Sequence, residues 1–142
     1  MKAYFLLFFS LLFLTCEKNN LESLTPFEQN KRKWEALEVD SYTYSFQISC
    51  FCVFEFTLPK EVKVVNNVIT QVNGVAYDKA ANWEVRTIDQ LFDIIADAEK
   101  KDAHVLEVKY DPKKGYPSSI FIDYEEMIAD EEVGYTLANI RY

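Results

Sequence analysis

The sharpest chemistry in this 142-residue chain lies in its cysteines, two of which stand together as Cys50-Phe51-Cys52. Thiols at this spacing can close a disulfide, pack as free thiols on a core face, or serve a redox or metal site. Positions i and i+2 of a regular strand lie roughly 6.6 Å apart, at the upper edge of what a disulfide spans, so a bridge calls for a bend. Zinc wants four ligands, but His104 is the only histidine and Cys16 the only other thiol. No Gly-x-Ser-x-Gly elbow occurs, and the parity of His104 with Leu106, Val108 and Tyr110 puts it at the buried edge of a strand. No catalytic residue, metal-ligand set or cofactor motif emerges. A second concentration is acidic: Asp123, Glu125, Glu126, Asp130, Glu131 and Glu132 place six carboxylates within residues 123–132. Calcium takes such oxygens, yet the Asp-x-Asp spacing and turn glycine of an EF-hand are missing. The simpler expectation is a solvated loop whose middle, Met127 to Ala129, is pinned to the core. A third feature is aromatic: Tyr77, Trp83 and Tyr116 fall on connections, where aromatics anchor recognition or close the ends of a core.

Cys16 has a different setting. Lys2 precedes an apolar run from Ala3 to Leu14, then Thr15 and Cys16. The run is shorter than the roughly 20 residues that a membrane-spanning helix needs. The arrangement resembles the lipobox of bacterial lipoproteins, which implies a signal peptide over residues 1–15, lipidation of Cys16 and a tether over residues 16–24. One domain, residues 25–142, follows, long enough for a real core. The formal net charge of −8 would repel nucleic-acid phosphates and anionic headgroups. Nucleic acid is therefore not an expected partner, and membrane attachment must come from the lipid.

The elements that position these groups follow from local pattern. Thr25-Pro26-Phe27-Glu28 and Thr87-Ile88-Asp89-Gln90 are capping boxes, each opening a helix. The first presents Phe27, Trp34 and Leu37 on one stripe, and the second Ile88, Leu91, Phe92, Ile95 and Ala98. From Tyr42 the period becomes two: Tyr42, Tyr44, Phe46 and Ile48 alternate with polar residues, and the parity runs on through Cys50, Cys52, Phe54 and Phe56. Fifteen residues is long for a strand, so a bend or bulge is expected near the cysteines. Glu61–Val65 and Val68–Val72 read as a hairpin across Asn66-Asn67, ended by Asn73-Gly74, with an irregular connection from Val75 to Arg86. Three more strands surround the Asp111–Pro117 turn and close the chain. The expected fold is α+β, in the order α-β-β-β-α-β-β-β, with two helices on one face of a mainly antiparallel sheet. Glu61-Val62-Lys63 and Glu107-Val108-Lys109 hint at a duplicated α–β unit.

Trp34, Tyr42-Thr43-Tyr44, Cys50-Phe51-Cys52, Tyr110-Asp111, Gly115-Tyr116-Pro117 and Asp123, in that order, resemble a family of small bacterial secreted lipoproteins classed as a domain of unknown function. The resemblance covers about residues 26–142 and implies an envelope location without an activity. The expectation is a lipid-anchored cell-envelope protein that works as a non-catalytic binding module, its ligand or partner unknown. The alternatives are an envelope thiol/disulfide protein using Cys50 and Cys52, and a calcium-stabilised module using the loop 123–132.

Overall fold

The computed structural model describes residues 24–142, so the signal, Cys16 and nearly all of the tether lie outside the described residues. Helix α1 (Pro26–Glu35) opens with the expected box: Thr25 Oγ1 accepts the Glu28 N–H, and the Glu28 carboxylate accepts the Thr25 N–H. Its stripe is shorter than expected, because the helix ends before Leu37, which is exposed. Strand β1 (Tyr42–Cys50) keeps the alternation, with Tyr42, Tyr44, Phe46 and Ile48 buried.

Beyond Cys50 the expected strand does not continue. Residues 54–57 form a single helical turn, α2 (Phe54–Thr57), which leaves Phe54 on the surface. The Cα atoms of Cys50 and Cys52 are 5.2 Å apart, closer than extended backbone allows, so the parity of β1 cannot carry through them. The irregularity in the pairing of β1 with its neighbour sits between Thr43 and Ser45, not at the cysteines.

Strands β2 (Lys60–Val65) and β3 (Val68–Val72) form the expected hairpin, with Asn66 and Asn67 at φ 49° and 60°. Positive φ at both positions is the signature of a type I′ turn, which asparagine tolerates. Asn73-Gly74 does not end the sheet: φ values of 51° and 77° turn the chain again into the short β4 (Val75–Ala76). Helix α3 (Ile88–Lys100) is capped by Thr87 and Gln90 as expected and buries Ile88, Leu91, Phe92, Ile95 and Ala98. Burying each of its larger apolar side chains contributes about 1.5–3 kcal/mol, so packing holds the helix more than propensity does.

β5 (Val105–Tyr110), β6 (Pro117–Asp123) and β7 (Val133–Arg141) complete a seven-stranded sheet in the order β4-β3-β2-β1-β7-β6-β5. Every pairing is antiparallel. The fold is α+β: α1 and α3 cover one face, where Trp34 meets Tyr42 edge-on at 5.5 Å between ring centroids. Thr43, Ser45, Gln47 and Ser49 point to the other, wetter face. The first strand after α1 and the last after α3 meet at the centre of the sheet, which joins the two antiparallel meanders into one layer. His104 is exposed, outside the strand rather than at its buried edge, with its N–H donated to the Tyr124 carbonyl. Among the described residues, no helix is long and apolar enough to cross a membrane.

Candidate functional site

The connection between β4 and α3 is a braced turn. Asp78 organises it: its carboxylate accepts the Ala80 N–H at 2.9 Å and its carbonyl accepts the Asn82 N–H at 3.0 Å. Such side-chain capture of a nearby N–H is what favours Asp at turns. The Tyr77 N–H binds the Thr70 carbonyl on β3 at 2.9 Å, and the Tyr44 hydroxyl donates to the Arg86 carbonyl, so both ends are tied to the sheet. The guanidinium of Arg86 turns back onto the Trp83 and Val85 carbonyls.

Within this turn Glu84 is fully buried, and its Oε1 accepts a hydrogen bond from Lys60 Nζ at the start of β2. Its Oε2 finds no hydrogen-bond partner among the described residues. The Lys60 ammonium also lies 5.5 Å from the centroid of the Phe56 ring, and Phe56 packs edge-on against Trp83 at 5.5 Å. The buried pair thus clamps the turn to β2 and leaves Trp83 partly exposed beside it.

A groove of about 520 Å³ opens between this turn, the β2–β3 hairpin and the first turns of α3. Tyr77, Trp83, Lys79, Arg86, Gln90 and Asp93 line it, over a floor of Ile69 and Val85. Aromatic faces beside a guanidinium, an amide and a carboxylate suit an amphipathic ligand with a planar or apolar part and a charged end. Two of the three aromatics singled out in the sequence therefore meet at one groove. Gln90 was read only as a capping residue, and Arg86 and Asp93 were not foreseen, because no local pattern marks a polar or charged residue as the wall of a distant groove.

Tyr116 is placed elsewhere and does not join the groove: of the two readings open for it, it takes the one that closes the end of the core. It is buried at the β5–β6 turn, its ring 6.3 Å from that of Trp34, and its hydroxyl bonds the Asp111 carboxylate. Burial first, then the neighbouring Asp111 charge, raises its pKa. Desolvation pushes the Asp111 carboxyl upward, but the N–H groups of Lys114 and Lys113, the Tyr116 hydroxyl and the Lys114 charge outweigh it and hold the carboxyl below its ordinary range. These contacts organise a turn.

The cysteine pair is close, its sulfurs at bonding distance; both residues are half-buried, and Cys50, the last residue of β1, packs against the core. In the acidic loop the Glu125 N–H donates to the Glu131 carboxylate, while Met127 and Ile128 are exposed instead of pinning its middle to the core. Among the described residues no three His, Cys, Asp or Glu side chains converge as a metal site would require.

A family model described as a family of unknown function (DUF6174) matches residues 26–142. No curated protein and no solved structure matches the chain.

Proposed function

The chain belongs to this family of unknown function (DUF6174), and on that premise we propose that it is a lipid-anchored cell-envelope protein that acts by binding, with the Tyr77–Trp83–Arg86 groove as its ligand site. The groove carries this reading: its aromatic side chains are half-buried or exposed on a turn held rigid from both ends and from beneath. Rigid aromatic anchors lose little entropy on binding, which suits recognition. The apolar run ending at Cys16 supports attachment through lipid on that cysteine. An oxidising envelope supports a structural disulfide between Cys50 and Cys52.

The test separates anchor from site. Cys16→Ala should abolish incorporation of radiolabelled palmitate and leave an unprocessed precursor; normal labelling would remove the anchor from the proposal. Affinity capture from detergent-solubilised envelopes should recover a ligand with the wild-type protein and lose it with Trp83→Ala or Arg86→Ala. Equal recovery by both variants would remove the groove. Alkylation of unreduced protein in denaturant should add no mass at Cys50 or Cys52.

A further inference from the structure

Four large apolar side chains stand in solvent within eight residues of one another. Phe51 is 79% exposed, Val53 61%, Phe54 71% and Leu58 44%. They are held out rather than loose. The Cys50–Cys52 pair pinches the base of the loop, and the Phe56 N–H binds the Val53 carbonyl at 3.0 Å to close α2. The Thr57 hydroxyl donates to the Phe54 carbonyl at 2.8 Å, and Gln47 Nε2 on β1 donates to the Thr57 carbonyl at 3.1 Å. Phe56 alone turns inward onto Trp83, which locks the loop to the body of the protein.

A second loop leaves the same end of the sheet. Cys50 on β1 and Ile122 on β6 both pair with Val133 on the intervening β7, so residues 51–59 and 124–132 emerge side by side. The second loop adds Met127, 91% exposed, and Ile128, 48% exposed. Together the six side chains present apolar area on the order of several hundred Å², the scale at which an exposed patch on a soluble domain marks an interaction surface. Carboxylates share the two loops with it: Glu55 in the first and Glu125, Glu126, Asp130, Glu131 and Glu132 in the second, all exposed but the half-buried Glu131. Among the described residues, Lys60 pairs with Glu84 and Lys101 with Asp97 at 2.7 Å.

We infer that this end of the sheet, Phe51, Val53, Phe54 and Leu58 beside Met127 and Ile128 together with these carboxylates, docks a cationic amphipathic polypeptide segment. The charge decides between occupants. An anionic bilayer would repel the carboxylates, and so would a second copy of this acidic chain. A segment with an apolar stripe flanked by Lys and Arg buries the former and neutralises the latter. Position agrees: α1, which follows residues 1–25, packs at the opposite end, with Trp34 on Tyr42 and Tyr116. This surface is separate from the groove and stands whether or not the groove binds a ligand.

The experiment uses the full chain in phosphatidylcholine nanodiscs, with empty nanodiscs as blank. It is titrated with a synthetic amphipathic Leu/Lys peptide and with its Leu/Glu counterpart. The Leu/Lys peptide should bind saturably, and the Leu/Glu peptide at least about tenfold more weakly. Phe51→Ser with Phe54→Ser should weaken the Leu/Lys complex at least about tenfold, with melting unchanged because both side chains are in solvent. Glu125→Lys with Glu126→Lys is the second variant; it should weaken the complex several-fold and erase part of its salt dependence. Absence of saturable binding, equal binding of both peptides, or binding insensitive to both pairs of substitutions would overturn the inference. So would burial of Phe51 and Phe54 in anionic vesicles without peptide, which would make the occupant a membrane.

Discussion

Removing one partner of the Lys60–Glu84 pair should be among the most damaging single changes in the protein. Lys60 is 9% exposed and Glu84 fully buried, and the second carboxylate oxygen of Glu84 already lacks a partner. Lys60→Met therefore leaves a buried carboxylate with nothing to replace water or the ammonium. Breaking a buried pair this way costs about 3–5 kcal/mol, against a total stability of about 5–15 kcal/mol for a domain. At this chain length that is on the order of 10–20 °C in Tm. Glu84→Leu strands the ammonium and should cost a similar amount. The double variant removes both charges and fills the space with apolar atoms, so it should return to within about 2 kcal/mol of wild type. The assay is urea unfolding of all four proteins at neutral pH, followed by the fluorescence of Trp83 and Trp34. A coupling energy of at least about 2 kcal/mol is expected. A loss below about 1 kcal/mol for Lys60→Met, or additive losses in the double variant, would refute the view that this pair clamps the groove-bearing turn to β2.

Three further predictions concern two turn glycines and the buried tyrosines. Gly115 sits at φ +81°, and a Cβ there would overlap the Asn30 carbonyl oxygen and stand 2.7 Å from Lys33 Cβ, whereas Gly74 at φ +77° has open space. Gly115→Ala should cost about 3 kcal/mol in chemical denaturation and Gly74→Ala about 1 kcal/mol, the left-handed backbone alone. Tyr42→Phe removes the oxygen that accepts the buried Ile88 N–H at 3.0 Å, so it should cost about 1–3 kcal/mol. Burial, partly offset by that N–H and reinforced by Asp89, pushes the Tyr42 hydroxyl up to about 12. Burial, then Glu99, does the same at Tyr110. Such groups favour the fold fully below the ordinary tyrosine pKa of about 10, and this contribution is lost as pH rises toward 12. Urea midpoints should therefore fall across that window, less steeply in Tyr42→Phe; a midpoint flat from pH 9 to 12 would contradict the burial of these phenols.

Short-range physics made much of this protein legible. Thr25 and Glu28, and Thr87 and Gln90, each complete a hydrogen-bonded box within one helical turn, so both main helices could be read from spacing alone. The stripe from Ile88 to Ala98 showed which side of α3 is buried, and alternation from Tyr42 to Ile48 did the same for β1. Asn66-Asn67 marked a turn because asparagine accepts the backbone the turn needs. The lipobox-like N-terminus and the acidic charge are likewise properties of composition and local order.

Only tertiary structure could decide the rest. Alternation reports which face a strand buries, not which strand lies beside it, so the meeting of β1 with β7 was invisible, as was the neighbouring of loops 51–59 and 124–132. Parity continued through Phe54 and Phe56, but the bend at Cys50–Cys52 ended the strand and turned Phe54 outward. Tyr116 could anchor recognition or close the core, and only the arrival of Trp34 and Asp111 against it decided for the core. Glu84 and Lys60 carry no mark of burial, since a charge enters the interior only when a partner arrives from elsewhere in the chain. The groove has the same origin: its walls come from the β2–β3 hairpin, the turn of Tyr77 and Trp83, and α3, and no local pattern encodes the distance between segments that the sheet alone holds together.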